Sequence, residues 1–398
     1  MSLLHEAHTS PTHEPDRVSE MDTSLGRVRF TGKHVNIAGG WERRSWAKTT
    51  ASPAFGGTIQ FDIPASDLEV RGPFAIQLDL SALTETTATG GTYAYLAEGF
   101  NIIKRVTIGI AGSLDLMTID CEALRSIPDC LLSPAERDAY EAASVPTAAT
   151  ATVLTIPIPS PWENRSLHLW NAGRVSVRVE MRALADSVLT DHTTYTAPVC
   201  AINDAHLIAS ARPVCAPEQG TINNAYKGTV FHRYLAPRVQ HESIAAAGAA
   251  SGTDLKLHAV GPTAWMAIQG RVASAAGLTL NALRTITSME LLDASGASIS
   301  GHRALASREL LYDTMPSMGF PSGQSLETTY PYSYAYSFSR AIRKTIEEGL
   351  NLGVHPMSGR ETLRLYAPST TGATDLAIIS WAYATLEMRD GVPVRVHA

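Results

Sequence analysis

The chain has 398 residues, 44% of them hydrophobic and 18% charged, with a formal net charge of −6. That length accommodates two domains of roughly 100–200 residues each, and the composition excludes a disordered chain. A negative balance argues against a free-standing nucleic-acid binder, which is ordinarily basic, and no run reaches the roughly 18 apolar residues of a membrane-spanning helix.

Residues 1–24 are polar, broken by Pro11 and Pro15, and without periodicity. They read as an arm, with His5, His8 and His13 as scattered solvated histidines rather than a metal site. The start has neither the basic residues nor the apolar core of a secretory signal, so none is expected.

From Arg27 onward the signals are those of strands. Residues 28–30, 58–63 (TIQFDI) and 74–80 (FAIQLDL) are short extended runs punctuated by Gly39-Gly40, Gly56-Gly57 and Gly72-Pro73. Residues 93–96 form another short strand. Residues 106–110 and 114–119 flank Ala111-Gly112-Ser113 as a hairpin. Residues 121–127 read as a short helix. A second helix begins at Ser133, with Ser at the N-cap, Pro134 at the first position and Glu136 at the third, and runs to about 143.

The most strongly patterned stretch is 152–182. Its first part, TVLTIPI, is rich in β-branched residues and runs into prolines that cannot lie inside a regular sheet. SLHLW (166–170) reads as a strand with Leu167 and Leu169 on one face and His168 turned away from them, a surface or interface histidine. Asn171-Ala172-Gly173 is turn chemistry. Val175, Val177, Val179 and Met181 then alternate with Ser176, Arg178, Glu180 and Arg182, the mark of a strand with one buried and one wet face. Residues 184–198 are polar and read as an inter-domain joint.

The second half begins in the same manner. Residues 202–208, 229–235, 254–260 and 264–268 are strands, and 243–251 is a small-residue loop. Residues 284–292 and 297–300 flank Asp293-Ala294-Ser295-Gly296 as a second hairpin. A helical pattern covers 302–312, a Gly/Pro/Ser-rich loop covers 313–329, and strands follow at 334–338 (YAYSF), 361–366 (ETLRLY) and 375–388 (DLAIISWAYATLEM). RSLHLWNAG thus matches ETLRLYAPS, RVSVRVEM matches AIISWAYATLEM, and the segment from Asn101 matches that from Asn281. The order of elements therefore points to an internal duplication. The expected units are an N-terminal arm (1–26), a first all-β unit (27–190) and a second (191–398). Strand density and late inserted helices give the fold class as all-β, two tandem eight-stranded jelly rolls.

Chemistry-bearing motifs are missing: there is no GxxxxGK[ST], no GxGxxG in a strand–helix setting, no HExxH and no GxSxG. Asp115 and Asp120 lie on a hairpin strand and read as a solvated face. Trp162 and Trp170 read as packing residues rather than a stacking platform. Cys121, Cys130, Cys200 and Cys215 form no CxxC pair and read as reduced thiols. Asn164-Arg165-Ser166 fits a glycosylation sequon that is not expected to be used. No catalytic, cofactor-binding or metal-ligating residue is assigned, and neither enzymatic activity nor a cofactor is expected.

The residues also carry a resemblance. The strand, Gly-containing turn, strand and helical segment of 101–140, the TIPIPSPW run (155–162) followed by LHL (167–169), and the last two strands within 363–388 resemble the double jelly-roll major capsid proteins of icosahedral double-stranded DNA viruses, found in tectiviruses and nucleocytoplasmic large DNA viruses. The chain has Pro161-Trp162-Glu163-Asn164-Arg165 where the large-virus form usually shows a Phe-Trp-Phe-type stretch, and its length is similar to that in small membrane-containing viruses. The resemblance implies a homotrimer whose six barrels make a pseudo-hexagonal capsomer tiling an icosahedral virion shell. It implies as partners the chain itself, penton and minor capsid proteins, and an internal membrane touched through the arm, with no direct nucleic-acid contact. Two other readings are a carbohydrate-binding tandem β-sandwich, which needs an exposed aromatic platform, and a minor capsid or spike protein of the same virus type.

Overall fold

The computed structural model describes residues 20–22, 27–29, 41–85, 87–91, 94–96, 99–111, 114–130, 139, 142–143, 150–162, 166–190, 194–225, 227–244, 252–272, 283–284, 288–299, 305–306, 333–338, 353–366 and 374–397. Eight strands make the first unit: β1 (Glu42–Ala47), β2 (Thr58–Ile63), β3 (Leu68–Leu80), β4 (Ile103–Ile110), β5 (Leu114–Asp120), β6 (Thr152–Ile158), β7 (Val175–Met181) and β8 (Ile202–Pro213). They form two antiparallel sheets, β6-β3-β8-β1 and β2-β7-β4-β5. Eight more make the second unit: β9 (Thr229–Ile244), β10 (Thr253–Lys256), β11 (Val260–Val272), β12 (Ser288–Leu292), β13 (Leu305–Ala306), β14 (Ser333–Ser337), β15 (Thr362–Tyr366) and β16 (Thr374–Arg389). Their sheets are β14-β11-β16-β9 and β10-β15-β12-β13. In both units one sheet holds the sixth, third, eighth and first strands and the other the second, seventh, fourth and fifth. A chain passing between two facing sheets in that order is a jelly roll, and this chain contains two.

Period-2 alternation builds each roll. In β7, Val175, Val177, Val179 and Met181 are buried while Arg178 is exposed, and the same alternation buries Ile59, Phe61 and Ile63 of β2. Phe74, Ile76, Leu78 and Leu80 of β3 close the core from the other sheet. Each such side chain contributes about 1.5–3 kcal/mol on burial, which is why the register of these strands is strongly specified.

Several expectations need correction. The 202–213 strand, expected to open the second unit, pairs with β3 and β1 and completes the first. Residues 188–190 and 194–196, expected in a joint, pair with 94–96 and 87–89. The 190/191 boundary therefore falls inside the first roll by strand pairing. The connection between rolls runs instead through a helix, α2 (Ala216–Ala225), while another helix, α1 (Cys121–Cys130), follows β5 inside the first roll. Pairing partners are a long-range property that local polarity does not encode. Leu305–Ala306, expected in a helix, is a strand on β12; the rest of that helical pattern and nearly all of the helix at 133–143 lie outside the described residues. Over the expected arm, Glu20–Asp22 pairs with Arg27–Arg29, and the remainder lies outside the described residues.

The duplication is visible in the topology, but shifted by one strand from the sequence match. ETLRLY corresponds to RVSVRVEM (β15 to β7), and the final long strand corresponds to β8. Ala75-Ile76-Gln77 of β3 and Ala267-Ile268-Gln269 of β11 carry the same tripeptide at equivalent positions, since Ile76 pairs with Leu207 of β8 at the site where Ile268 pairs with Ile378 of β16.

Candidate functional site: the seam and joint between the rolls

β11 and β16 depart from alternation. Residues 263–270 and 376–382 are buried without interruption, so both faces of these strands are covered. Met266, Ile268, Leu376 and Ile378 point into the core of the second roll, whereas Trp265, Ala267, Ile379 and Trp381 join the core of the first. Beyond Trp381 the residues facing the first roll change parity to Ala384, Leu386 and Met388, so the long strand twists as it passes over its neighbour. The core of the first roll thus extends onto the outer face of the second roll's sheet, while the second roll keeps a core of its own.

Polar bonds set the register across that core. Trp265 and Trp381 stack at 5.5 Å between centroids with 6° between planes, and Trp381 Nε1 donates to Ser126 Oγ of α1 at 3.1 Å. Gln269 Nε2 donates to the Glu122 carbonyl at 3.4 Å. Tyr234 Oη donates to the Leu116 carbonyl at 2.6 Å, and burial pushes this phenol well above its ordinary range, so it stays a neutral donor. His232 Nε2 donates to the Pro161 carbonyl at 2.6 Å.

The joint is a second cluster. Arg212, at the end of β8, donates to Glu69 of β3, and its Nη2 donates to Glu218 of α2 at 3.2 Å. Trp41 lies against the guanidinium at 5.7 Å. Burial raises the Glu69 carboxyl, but hydrogen bonds from His168 and Ser166 and the Arg212 charge outweigh it and hold Glu69 at about 2. Gln219 Nε2 of α2 donates to Asp67 Oδ1 at 3.1 Å, and Asn223 Oδ1 accepts from Trp170 Nε1 at 3.0 Å and from Asn171 Nδ2. On the far side, β16 turns through Asp390 and Gly391 (φ 50° and 81°) into a strand at Val392–His397. Asp390 Oδ1 accepts from the Gly228 N–H at 2.9 Å, and a Cβ on Gly391 would stand 2.6 Å from Asn171 Nδ2. Linker helix, first roll and C-terminal hairpin thus meet at Asn171.

This placement revises the reading of His168. Its strand spans just Leu167–His168 before a helical turn begins at Leu169, and the ring is buried, 3.5 Å from Glu69 Oε1 and stacked on Trp170 at 4.9 Å. Its partner Glu69 comes from β3, which lies far away in sequence. Trp162 is buried against Phe74 and Trp170 is half-buried and bonded to Asn223, so both pack the molecule rather than face a ligand. Asp115 and Asp120 sit on an outer face in ion pairs with Arg178 and Arg105, at 2.7 Å each. Cys121, Cys200 and Cys215 are in no disulfide. Among the described residues no group of three His, Cys, Asp or Glu is disposed to hold a metal ion, and no helix is long and apolar enough to cross a membrane. Around Glu69 and Glu218, the Arg212 guanidinium already occupies the place of a cation. Trp265, Trp381, Ser126, Asn171 and Asn223 were not singled out from sequence; the largely apolar runs AWMAI (264–268) and LAIISWA (376–382) were the available signals for the first two.

No family model matches the sequence, and no curated protein matches it. Its structure is similar to that of PBCV-1 VP54 fitted into a reconstruction of the virophage Sputnik, at 12% identity and TM-score 0.64, covering 90% of this chain and 97% of that one. It is similar to the Faustovirus major capsid protein at 10% identity and TM-score 0.60, covering 91% and 93%, and to the mavirus major capsid protein at 12% and 0.54, covering 97% and 96%. At these identities the likeness bears on fold: the chain has the double jelly-roll fold found in these proteins, as the sequence resemblance implies.

Proposed function

We propose that this chain is a major capsid protein whose homotrimers form pseudo-hexagonal capsomers that tile an icosahedral virion shell. One observation carries the reading: two rolls with the same strand order are joined along a packed apolar seam and cross-tied by α1, α2 and the C-terminal hairpin. A rigid pair of near-equivalent barrels turns threefold symmetry into a six-barrel ring, and such rings fill a surface without gaps. The role is architectural rather than catalytic, and the most perturbed buried carboxylate, Glu69, is engaged in holding the joint. The setting is the virion. The partners are further copies, penton and minor capsid proteins, and an internal membrane approached by the arm.

Native mass spectrometry of the purified protein tests this, with negative-stain micrographs of the same sample. A stable assembly of three chain masses with a hexagonal outline is expected. A monomer at micromolar concentration would overturn the proposal.

A further inference from the structure

The far end of β16 presents a face with its own chemistry. Ala384, Leu386 and Met388 face the first roll there, so Thr385, Glu387 and Arg389 point the other way. Their cross-strand neighbours on that side are Phe231 and Arg233 of β9 and Val392, Arg395 and His397 of the C-terminal strand. Arg233, Arg389, Arg395 and His397 are exposed, and so is Phe231, at 54%. Phe231 stands edge-on to His397 at 6.3 Å, and Glu387 is bonded to Arg389 and His397. Lys227 is exposed at the rim, beside Gly228, whose N–H donates to Asp390. Lys227, Arg233, Arg389 and Arg395 set against Glu387 and Asp390 leave two positive charges in excess, around an apolar centre, on a chain whose net charge is −6.

Residues 1–19, which lie outside the described residues, carry the opposite pattern. Leu3 and Leu4 are followed by Glu6, Glu14 and Asp16, with Arg17 as the single Lys or Arg, an excess of two negative charges. The chain reaches the first roll at Trp41, which lies against Arg212 at the joint. The joint is tied to the C-terminal hairpin through α2, ten residues or about 15 Å long. The stretch 30–40, between the strand at Arg27–Arg29 and Trp41, spans up to roughly 36–40 Å. We infer that residues 1–19 dock on the face around Phe231 and Arg395 of their own molecule, acidic side chains against Arg233, Arg395 and Lys227, and Leu3 and Leu4 against Phe231 and Val392. The two partners carry equal and opposite charge. A tether of this length gives an effective concentration on the order of millimolar, which favours the molecule's own arm over that of a second copy. The contact is made within one chain, so it does not depend on the capsomer reading.

Two measurements on the full chain test this. A carbodiimide joins a carboxylate to an amine with no spacer, and peptide mass spectrometry of the natural protein should find Lys227 linked to Glu6, Glu14 or Asp16 in a product of one chain mass. Tryptic cleavage after Arg17, timed by intact mass, should be faster by roughly 2- to 30-fold in the double variant Arg233→Glu/Arg395→Glu, the loss of two surface ion pairs. It should be unchanged in Arg360→Glu, which reverses an exposed charge elsewhere, with circular dichroism confirming that both variants fold. No link from these carboxylates to Lys227, a link found only in products of two chain masses, or equal cleavage rates in all three proteins would overturn the inference. None of these outcomes bears on the number of chains in the assembly, which native mass spectrometry reads separately.

Discussion

Trp381 tests whether the seam is a packed core or a simple apposition. The ring is buried, stacked on Trp265 at 5.5 Å, and bonded to Ser126. Removing a buried Trp side chain to Ala costs about 3–5 kcal/mol from lost transfer and cavity formation. Loss of parallel stacking adds roughly 0.5–1.5 kcal/mol. The lost hydrogen bond adds little, because Ser126 Oγ still donates to the Ala123 carbonyl at 2.7 Å. Trp381→Ala should therefore destabilise by about 3.5–6.5 kcal/mol, a large share of a typical total of about 5–15 kcal/mol. Trp381→Phe, which keeps an aromatic ring there, should cost about 1–2 kcal/mol. The loss falls on the seam that couples the two rolls, so urea unfolding followed by far-ultraviolet circular dichroism should separate into two transitions for the Ala variant. A single transition displaced by less than about 0.5 kcal/mol, the usual effect of a surface change, would mean that the rolls merely touch.

Two further outcomes concern the joint. Gly391→Ala puts a Cβ at φ +81° against Asn171 and should cost about 2 kcal/mol through backbone strain and loss of the Asn171–Asn223 bond. In an Asn171→Ala background the cost should fall by about half, and an equal cost in both backgrounds would break the proposed coupling. Glu69 is held at about 2 against an ordinary 4.5, so its contribution is fully present above pH 4.5 and is lost as pH falls from there toward 2. That contribution is about 3 kcal/mol at most. Urea midpoints measured between pH 2 and 5 should fall steeply for the natural chain and less steeply for Glu69→Gln; equal slopes would remove Glu69 from the account.

Within each roll, much was legible. β7 needs no more than the alternation of Val175, Val177, Val179 and Met181 to identify its buried face, because a strand exposes successive side chains to opposite sides. The hairpins around residues 111–113 and 293–296 follow from turn chemistry in the same way, Asp293 accepting the Ser295 and Ala297 N–H groups at 2.8 and 2.9 Å. His168 shows where that reasoning stops. Its alternation with Leu167 and Leu169 argues for a wet face, yet Glu69 and Trp170 lie against it.

Residue pattern alone thus established that the chain is all-β, that it is built twice, and which way most strands face, since each of these depends on neighbours a few positions apart. The partners of 202–213, the one-strand offset between the copies, and the burial of both faces of β11 and β16 were decided by contacts spanning a hundred residues or more. Such contacts depend on the closing of whole sheets and on one roll covering another, and no local stretch carries that information.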